Sequence, residues 1–304
     1  MSNALRFCAC ALSAWAGMMA AQAQTTATTT SAAAVVVSKT VTTSNASSGT
    51  PFCSAVPPLA DVLAPVTPSV EAGRQASGAR NYALARANFR PLAEKGDPAG
   101  ESALGQLLMQ NCTGLQDKEE GLNWLAKAVD GGDTDAALEL GSIYLNGQDG
   151  MALDDNKAFA LISKAAAAGI MVAEADLGYM YLNGRGVPVD KYQGMTWSVK
   201  AGEQGAPGAL EYISQAYFKG AGLPQNLDKA AFYGAIGYRR GSVAQRAAFK
   251  PILDNISRQM SGDDIKDAVS RSAKWVPGTD SLSDVMRDAA KWRAQASKDL
   301  ANKN

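Results

Sequence analysis

An internal period of 36 to 37 residues runs through the middle of this 304-residue chain and restricts its fold more than any other feature. Gly96, Gly132, Gly169, Gly205 and Gly241 are spaced 36, 37, 36 and 36 residues apart. Four other sets of residues follow the same step. Two are a leucine-glycine column (Leu104-Gly105, Leu140-Gly141, Leu177-Gly178) and a tyrosine column (Leu108, Tyr144, Tyr181, Tyr217). The others are an aromatic column (Trp124, Leu161, Trp197, Tyr233) and a lysine-alanine column (Lys127-Ala128, Lys164-Ala165, Lys200-Ala201). A period of this length is typical of a solenoid, in which stacked repeats bury a shared core.

Each period contains the signals of a helix pair. Gly132 and Gly169 lie where one helix ends and the chain must take a left-handed turn, which glycine adopts without a steric penalty. Asp133 follows as the N-cap of the next helix. Gly141 is predicted to let the two helices of a repeat approach closely. Tyr144, one helical turn after Leu140, is predicted to fill the space between them. The pattern predicts an all-α fold.

Residues 176–190 together with residues 197–201 resemble the Sel-one-like repeat (SLR), a short relative of the tetratricopeptide repeat. The resemblance covers four repeats, at 97–132, 133–169, 170–205 and 206–241, and residues 69–96 look like a partial repeat before them. It implies a right-handed α-solenoid of helix-turn-helix repeats that serves as an adaptor in protein assembly. The family has no shared active site to transfer to this chain.

The segments on either side of the repeats differ from them in composition. Residues 1–23 are predicted to be a signal peptide, because Arg6 precedes an apolar stretch of about 14 residues and Ala21-Gln22-Ala23 is a small-x-small site. An uncleaved anchor is the alternative. Residues 24–68, rich in Thr, Ala, Ser and Pro, are predicted to be a disordered tether. The sequence therefore predicts an exported protein, periplasmic or secreted, with no membrane span once the signal is removed.

Residues 242–304 are predicted to form a helical C-terminal cap, with helices at 243–258, 262–275 and 283–298. Ser261 with Asp264, and Ser281 with Asp284, resemble capping boxes. A second functional domain is the alternative interpretation.

Two cysteines, Cys53 and Cys112, remain after removal of the predicted signal. In an oxidising compartment an even number of cysteines favours a disulfide, and two unpaired thiols are the alternative.

The sequence offers little for chemistry. Histidine is absent, which removes the commonest general base and metal ligand. Lys+Arg and Asp+Glu both number 29, so no basic excess suggests nucleic acid. Neighbouring carboxylates such as Asp154-Asp155 diverge by about 100° on a helix and do not face one substrate. We therefore predict no catalytic residue, no metal and no cofactor.

The best candidate site is the concave surface, which the first helix of each repeat is expected to line. Positions on it that are not committed to the core are rich in amides, with an aromatic patch towards the C-terminal end: Gln106, Gln110, Asn146, Tyr179, Asn183, Glu211, Gln215, Phe218 and Lys219. Amides donate and accept hydrogen bonds and so suit a peptide backbone or sugar hydroxyls.

Three functions remain open from the sequence. The leading hypothesis is a non-catalytic scaffold that binds a protein or peptide in the cell envelope. The alternative is a glycan-binding module for peptidoglycan or an exopolysaccharide. The third is an enzyme that uses carboxylates of the C-terminal helices.

Overall fold

The computed structural model describes residues 67–110, 117–147 and 151–301. Within these ranges it contains thirteen helices and no strand. In chain order the helices are α1 (Val70–Gly78), α2 (Tyr82–Ala93), α3 (Pro98–Met109), α4 (Lys118–Asp130), α5 (Thr134–Asn146), α6 (Asp155–Ala167), α7 (Met171–Asn183), α8 (Lys191–Glu203), α9 (Pro207–Lys219), α10 (Leu227–Arg240), α11 (Val243–Ser257), α12 (Gly262–Lys274) and α13 (Ser283–Ala301). The predicted signal peptide, nearly all of the predicted tether, and both Cys53 and Cys112 lie outside the described residues.

The helices from α3 to α10 form four pairs that stack in chain order. Each odd-numbered helix packs on the even-numbered helix that follows it, and each pair packs on the next through the helices adjacent in sequence. We call α3, α5, α7 and α9 the first helices of the repeats, and α4, α6, α8 and α10 the second helices. This arrangement confirms the predicted all-α repeat solenoid.

Glycines in the left-handed conformation end the second helices α4, α6 and α8, as predicted, whereas Gly241 after α10 is extended. The φ angles of Gly132, Gly169 and Gly205 are +94°, +81° and +91°. Directly after the first of these turns, the Asp133 side chain accepts a hydrogen bond from the backbone N–H of Ala136 and caps α5. The turn between repeats is therefore set by local sequence.

Within a pair, glycine on the first helix allows close approach of the second. A Cβ atom built on Gly105 would lie 2.9 Å from the carbonyl oxygen of Gly121 and 2.8 Å from Cγ of Leu125. At Gly178 the nearest backbone atoms would be 3.1 Å away, the oxygen of Gly194 and the nitrogen of Ser198. The Leu-Gly column is therefore a column of helix–helix contacts.

The three tyrosines of the tyrosine column differ in burial. Tyr217 is fully buried and its ring stacks on that of Tyr233 at 5.8 Å between centroids. Tyr144 and Tyr181 are half-buried and pack against the core at its edge. The predicted core role therefore holds fully for Tyr217 and in part for the other two.

The three C-terminal helices pack on the last two repeats. Phe249 of α11 is fully buried, and α12 packs on α10, where the Arg239 guanidinium donates to the backbone oxygen of Ser272. Helix α13 packs on α8 and runs antiparallel to it, because Leu282 lies near Glu203 and Trp292 lies near Lys191.

One predicted cap in this region is wrong. Ser261 caps α12, with its Oγ accepting from the backbone N–H of Asp264. Asp284 does not form a capping box with Ser281. Its carboxylate accepts a hydrogen bond from the Tyr233 hydroxyl at 2.7 Å and pairs with Lys229 Nζ at 2.9 Å, because these long-range partners outcompete a local cap.

Lys229 joins α10 to α13 through a charged cluster. Its ammonium lies 2.6 Å from Asp288 Oδ2 and 2.9 Å from Asp284 Oδ2, and the Tyr217 hydroxyl donates to Asp288 at 2.9 Å. Burial opposes the charge of Lys229, but hydrogen bonds from it to the two carboxylates raise its pKa. Burial likewise opposes the charge of Asp288, whereas its bonds from Lys229 and Tyr217 lower its pKa overall.

Replacing Lys229 by methionine (K229M) is expected to lower the free energy of unfolding by about 2 kcal/mol, because two half-buried carboxylates lose their cation. The pKa of Asp288 is depressed in the fold. The stability that its carboxylate contributes is therefore present above the unfolded pKa and is lost as the pH falls below that value. The difference between the two proteins should thus be constant near neutral pH and shrink below about pH 4. Urea unfolding across pH measures this, and K266M at exposed Lys266 should change little. Equal losses for both variants would contradict a specific role of the cluster.

None of the helices within the described residues is long and apolar enough to cross a membrane.

Candidate functional site

First helices α5, α7 and α9 bury one face, and residues on the opposite face are half-buried or exposed. On α7 the buried residues include Glu174, Leu177 and Gly178. Asp176 and Tyr179 occupy the opposite side of the helix, and Asn183 follows one turn after Tyr179. We call this surface of α3, α5, α7 and α9 the first-helix face. Most of the predicted site residues lie on it.

The predicted site residues differ in exposure. Gln106, Asn146, Tyr179, Glu211, Gln215 and Phe218 are half-buried, and Gln110, Asn183 and Lys219 are exposed. Phe218 departs from the others, because its ring packs against the hydrophobic core of the last repeats. Its register equivalents Met109 and Leu145 are buried core residues, so Phe218 belongs to the packing side of α9.

Hydrogen bonds within each first helix hold the polar side chains of this face in place. The side-chain amides of Asn146 and Asn183 donate to the backbone oxygens of Ser142 and Tyr179, both at 2.8 Å. Because the nitrogen of each amide is used in this way, its oxygen is left as an acceptor. Asn146 and Asn183 are 37 residues apart, so two neighbouring repeats each carry an asparagine that is held by the same hydrogen bond.

On α9 the same ridge carries a chain of polar contacts. The Gln215 amide donates to Glu211 Oε1 at 3.1 Å, and Lys219 Nζ donates to Gln215 Oε1 at 3.3 Å. Burial raises the pKa of Glu211, and the hydrogen bond from Gln215 only partly offsets that effect. The structure therefore brings these three predicted residues together in one line.

Two carboxylates on this face were not predicted from the sequence. Glu139 and Asp176 occupy the same register position of α5 and α7, directly before Leu140 and Leu177, and Tyr212 occupies it on α9. Burial alone raises the pKa of Asp176 to about 7. Among the described residues we find no hydrogen bond or ion pair to the Asp176 carboxylate. The 37-residue spacing of Glu139 and Asp176 is the signal that could have identified them.

Two tyrosines connect neighbouring first helices beside these acids. The rings of Tyr179 on α7 and Tyr212 on α9 lie 5.9 Å apart with an interplanar angle of 38°. Nearby, the Arg185 guanidinium binds the Asp155 carboxylate, with Nε 2.7 Å from Oδ2, and donates to the oxygen of Leu145. The hydrogen bond to Asp155 is the main cause that raises the pKa of Arg185. Arg185 thus ties the loop after α7 to the preceding repeat.

Neighbouring acidic residues have structural contacts. Asp154 caps α6 by accepting from the backbone N–H of Lys157, and Asp155 binds Arg185. Asp263 pairs with Lys266 at the exposed start of α12. Across the described ranges no group of three potential ligand residues could hold a metal ion.

Replacing Asp176 by asparagine (D176N) is expected to stabilise the protein at about pH 8 by roughly 2 kcal/mol. The pKa of Asp176 is raised in the fold, so its carboxyl costs nothing below its unfolded pKa of about 4, destabilises the fold increasingly as the pH rises from there to about 7, and costs a constant amount above that. The full shift corresponds to about 4 kcal/mol, and residual solvent exposure reduces it.

Urea unfolding at about pH 4 and about pH 8 tests this expectation, because the gain should vanish at the lower pH. The same change at exposed Asp263 should alter stability little at either pH. A D176N protein that is less stable than the wild type at the higher pH would reveal a stabilising partner of the carboxylate.

Comparison with known proteins identifies the repeats. The family model described as the Sel1 repeat matches residues 103–133, 134–170, 172–205 and 207–242. A comparison with curated protein sequences gave no match.

Two solved structures share the fold at 23% sequence identity and a TM-score of 0.57. One is a protective antigen of uropathogenic Escherichia coli strains that displays an SLR fold, and the alignment covers 75% of this chain and 46% of that one. The other is a Sel1 repeat protein from Oxalobacter formigenes, with 66% and 80% covered. This chain thus spans less than half the length of the E. coli antigen.

Sel1 repeats generally serve as protein-interaction scaffolds, and their fold is typically non-catalytic. Four matched repeats, stacked as helix pairs in an all-α array, show that this chain is a Sel1-like repeat protein.

Proposed function

We propose that this protein is an exported, non-catalytic scaffold that binds a protein or peptide partner through the first-helix face, the concave side expected of such an array. The observation that carries the proposal is the line of polar side chains in equal register on successive first helices. Asn146 and Asn183 are each fixed by a bond to their own helix, so little side-chain entropy is lost when a partner binds.

An extended peptide suits this arrangement because its backbone groups recur along the chain, as the amides recur along the array. The predicted signal peptide supports export to the periplasm or the medium. The same amides could bind sugar hydroxyls, so glycan binding is the outcome to be separated from peptide binding by experiment.

The proposal is tested by affinity purification of a tagged protein from its native cells, with quantitative mass spectrometry. Asn183→Arg and Gln215→Arg place a long charged side chain on the first-helix face and are expected to reduce a recovered partner about tenfold. Ala126→Arg and Ala160→Arg, at exposed positions of the second helices α4 and α6, are the matched controls.

Loss of the partner from the first two variants alone would support the proposal. Equal recovery with all four variants, or loss only with the second-helix variants, would contradict it. Wild-type protein that sediments with purified cell wall and recovers no protein partner would instead favour a glycan ligand.

A further inference from the structure

Cations are concentrated on the second helices, whereas carboxylates occur on both kinds of helix. The four first helices carry six carboxylates, Glu101, Asp135, Glu139, Glu174, Asp176 and Glu211, and one cation, Lys219. The second helices carry the lysines of the repeat, among them Lys127, Lys164 and Lys200. Of these acids Glu101 and Glu174 are buried, so a partner that lies along the first helices meets the other four carboxylates and one lysine.

The acids on the packing side of the first helices are compensated from within the fold. Glu101 and Glu174 are buried, and burial raises the pKa of both, but Lys127 and Lys200 on the second helices act in the opposite direction. Glu174 also accepts a hydrogen bond from Gln204 at 2.7 Å. These two carboxylates thus belong to the packing of the repeats.

Among the described residues, no cation offsets the burial of Asp176 or Glu211 on the first-helix face. For Asp176, burial acts alone, and for Glu211 the amide of Gln215 is the only group that opposes it. Lys219, the single cation on these helices, bonds to Gln215. A carboxylate in a shielded site without a counter-charge interacts strongly with any cation that a partner brings, because the screening there is weaker than in bulk water.

Tyrosines lie close to these acids along the same helices, since Tyr179 follows Asp176 by one helical turn and Tyr212 directly follows Glu211. Tyr212 occupies on α9 the register position of Asp176 on α7, and its ring is 5.9 Å from that of Tyr179. The faces of such rings attract ammonium and guanidinium groups. The chain already uses this contact on its second helices, where Lys127 and Lys200 lie 4.0 Å from the ring centroids of Trp124 and Trp197.

We propose that the partner segment held on the first-helix face is basic, with lysine or arginine side chains that pair with Asp176 and Glu211 beside Tyr179 and Tyr212. This inference rests on the proposed function and names the chemistry of the partner at the same surface. A neutral glycan would leave the two carboxylates unpaired, so the charge on this face favours a cationic peptide.

The test uses fluorescence anisotropy with three labelled peptides of about ten residues, in which glycine alternates with lysine, glutamine or glutamate. The full-length protein is titrated at about pH 8, where Asp176 is largely ionised, in low and in high salt. We expect the lysine peptide to bind about tenfold more tightly than the glutamine peptide, and salt to weaken that preference.

D176N and E211Q, which remove charge without changing shape, should each weaken binding of the lysine peptide about threefold to tenfold. D263N removes a charge from the exposed start of α12 and should leave binding of the lysine peptide unchanged. Circular dichroism of each variant confirms that the fold is intact.

Equal binding of the lysine and glutamine peptides, no binding of the lysine peptide, or equal effects of D176N and D263N would overturn the inference. Tight binding of the glutamine or glutamate peptide that N183R abolishes would overturn it while leaving the peptide-binding scaffold in place. The two proposals therefore fail separately.

Discussion

Replacing Gly105 by alanine (G105A) is expected to lower the free energy of unfolding by about 2–4 kcal/mol. The new methyl group would lie 2.9 Å from the carbonyl oxygen of Gly121, a backbone atom that cannot rotate away, and 2.8 Å from Leu125 Cγ. Helices α3 and α4 must therefore move apart. This loss exceeds the gain of about 1 kcal/mol that alanine otherwise brings to the interior of a helix.

The matched control is the same substitution at Gly208, on first helix α9, where a Cβ atom would meet nothing within 4 Å. G208A should leave stability unchanged or raise it slightly. Chemical denaturation of both variants measures the difference. If G105A were as stable as G208A, the close approach of the paired helices would not depend on this glycine column.

Replacing Phe249 by alanine (F249A) is expected to cost about 3–5 kcal/mol, because it removes a fully buried ring and leaves a cavity. The ring fills the space that Gly237 leaves open, since a Cβ atom built on Gly237 would lie 2.5 Å from Phe249 Cζ. Phe249 is therefore the largest of the α11 side chains that pack on the last repeat, beside Leu253 and Ile256. We expect the C-terminal helices to become susceptible to proteolysis in this variant.

Val243→Ala on the same helix is the control, since Val243 is 85% exposed and its substitution should change stability little. Thermal unfolding and limited trypsin digestion of both variants provide the comparison. An F249A protein with wild-type stability would mean that α11 contributes little to closing the end of the array.

The period made most of the fold predictable because the side chains that define a repeat act locally. Gly132 ends a helix and Asp133 begins the next through contacts within a few residues, so their identity recurs every 36 or 37 positions. The requirement for glycine at Gly141 and its equivalents depends only on how the two helices of one pair pack together. Helix bounds in the C-terminal region followed in the same way from local signals.

Contacts between distant residues were not predictable from the same signals. Asp284 looked like a capping residue, but its partners Tyr233 and Lys229 lie 51 and 55 residues earlier in the chain and become neighbours only when α13 folds back. Such pairings leave no period in a single sequence.

The candidate site was predicted in part for a related reason. Asn146 and Asn183 repeat as the same residue, whereas the column that contains Asp176 reads Ala103, Glu139, Asp176 and Tyr212, so only the acidic character of its two middle members marks it. The properties of Asp176 depend on how far the neighbouring helices shield its carboxylate from water. Phe218 looked like a surface aromatic because the position of its ring relative to α10 and the C-terminal helices is a property of the packed array.

The most direct test of the binding face is a photo-crosslinking scan in living cells. A photoreactive amino acid is introduced in turn at Gln110, Asn183 and Gln215 on the first helices, and at Ala126 and Ala160 on the second helices, and adducts are identified by mass spectrometry. We predict the same protein adduct at two or more of the first-helix positions and at neither control. Adducts confined to the second helices, or no protein adduct at any first-helix position, would contradict a docking role for this face.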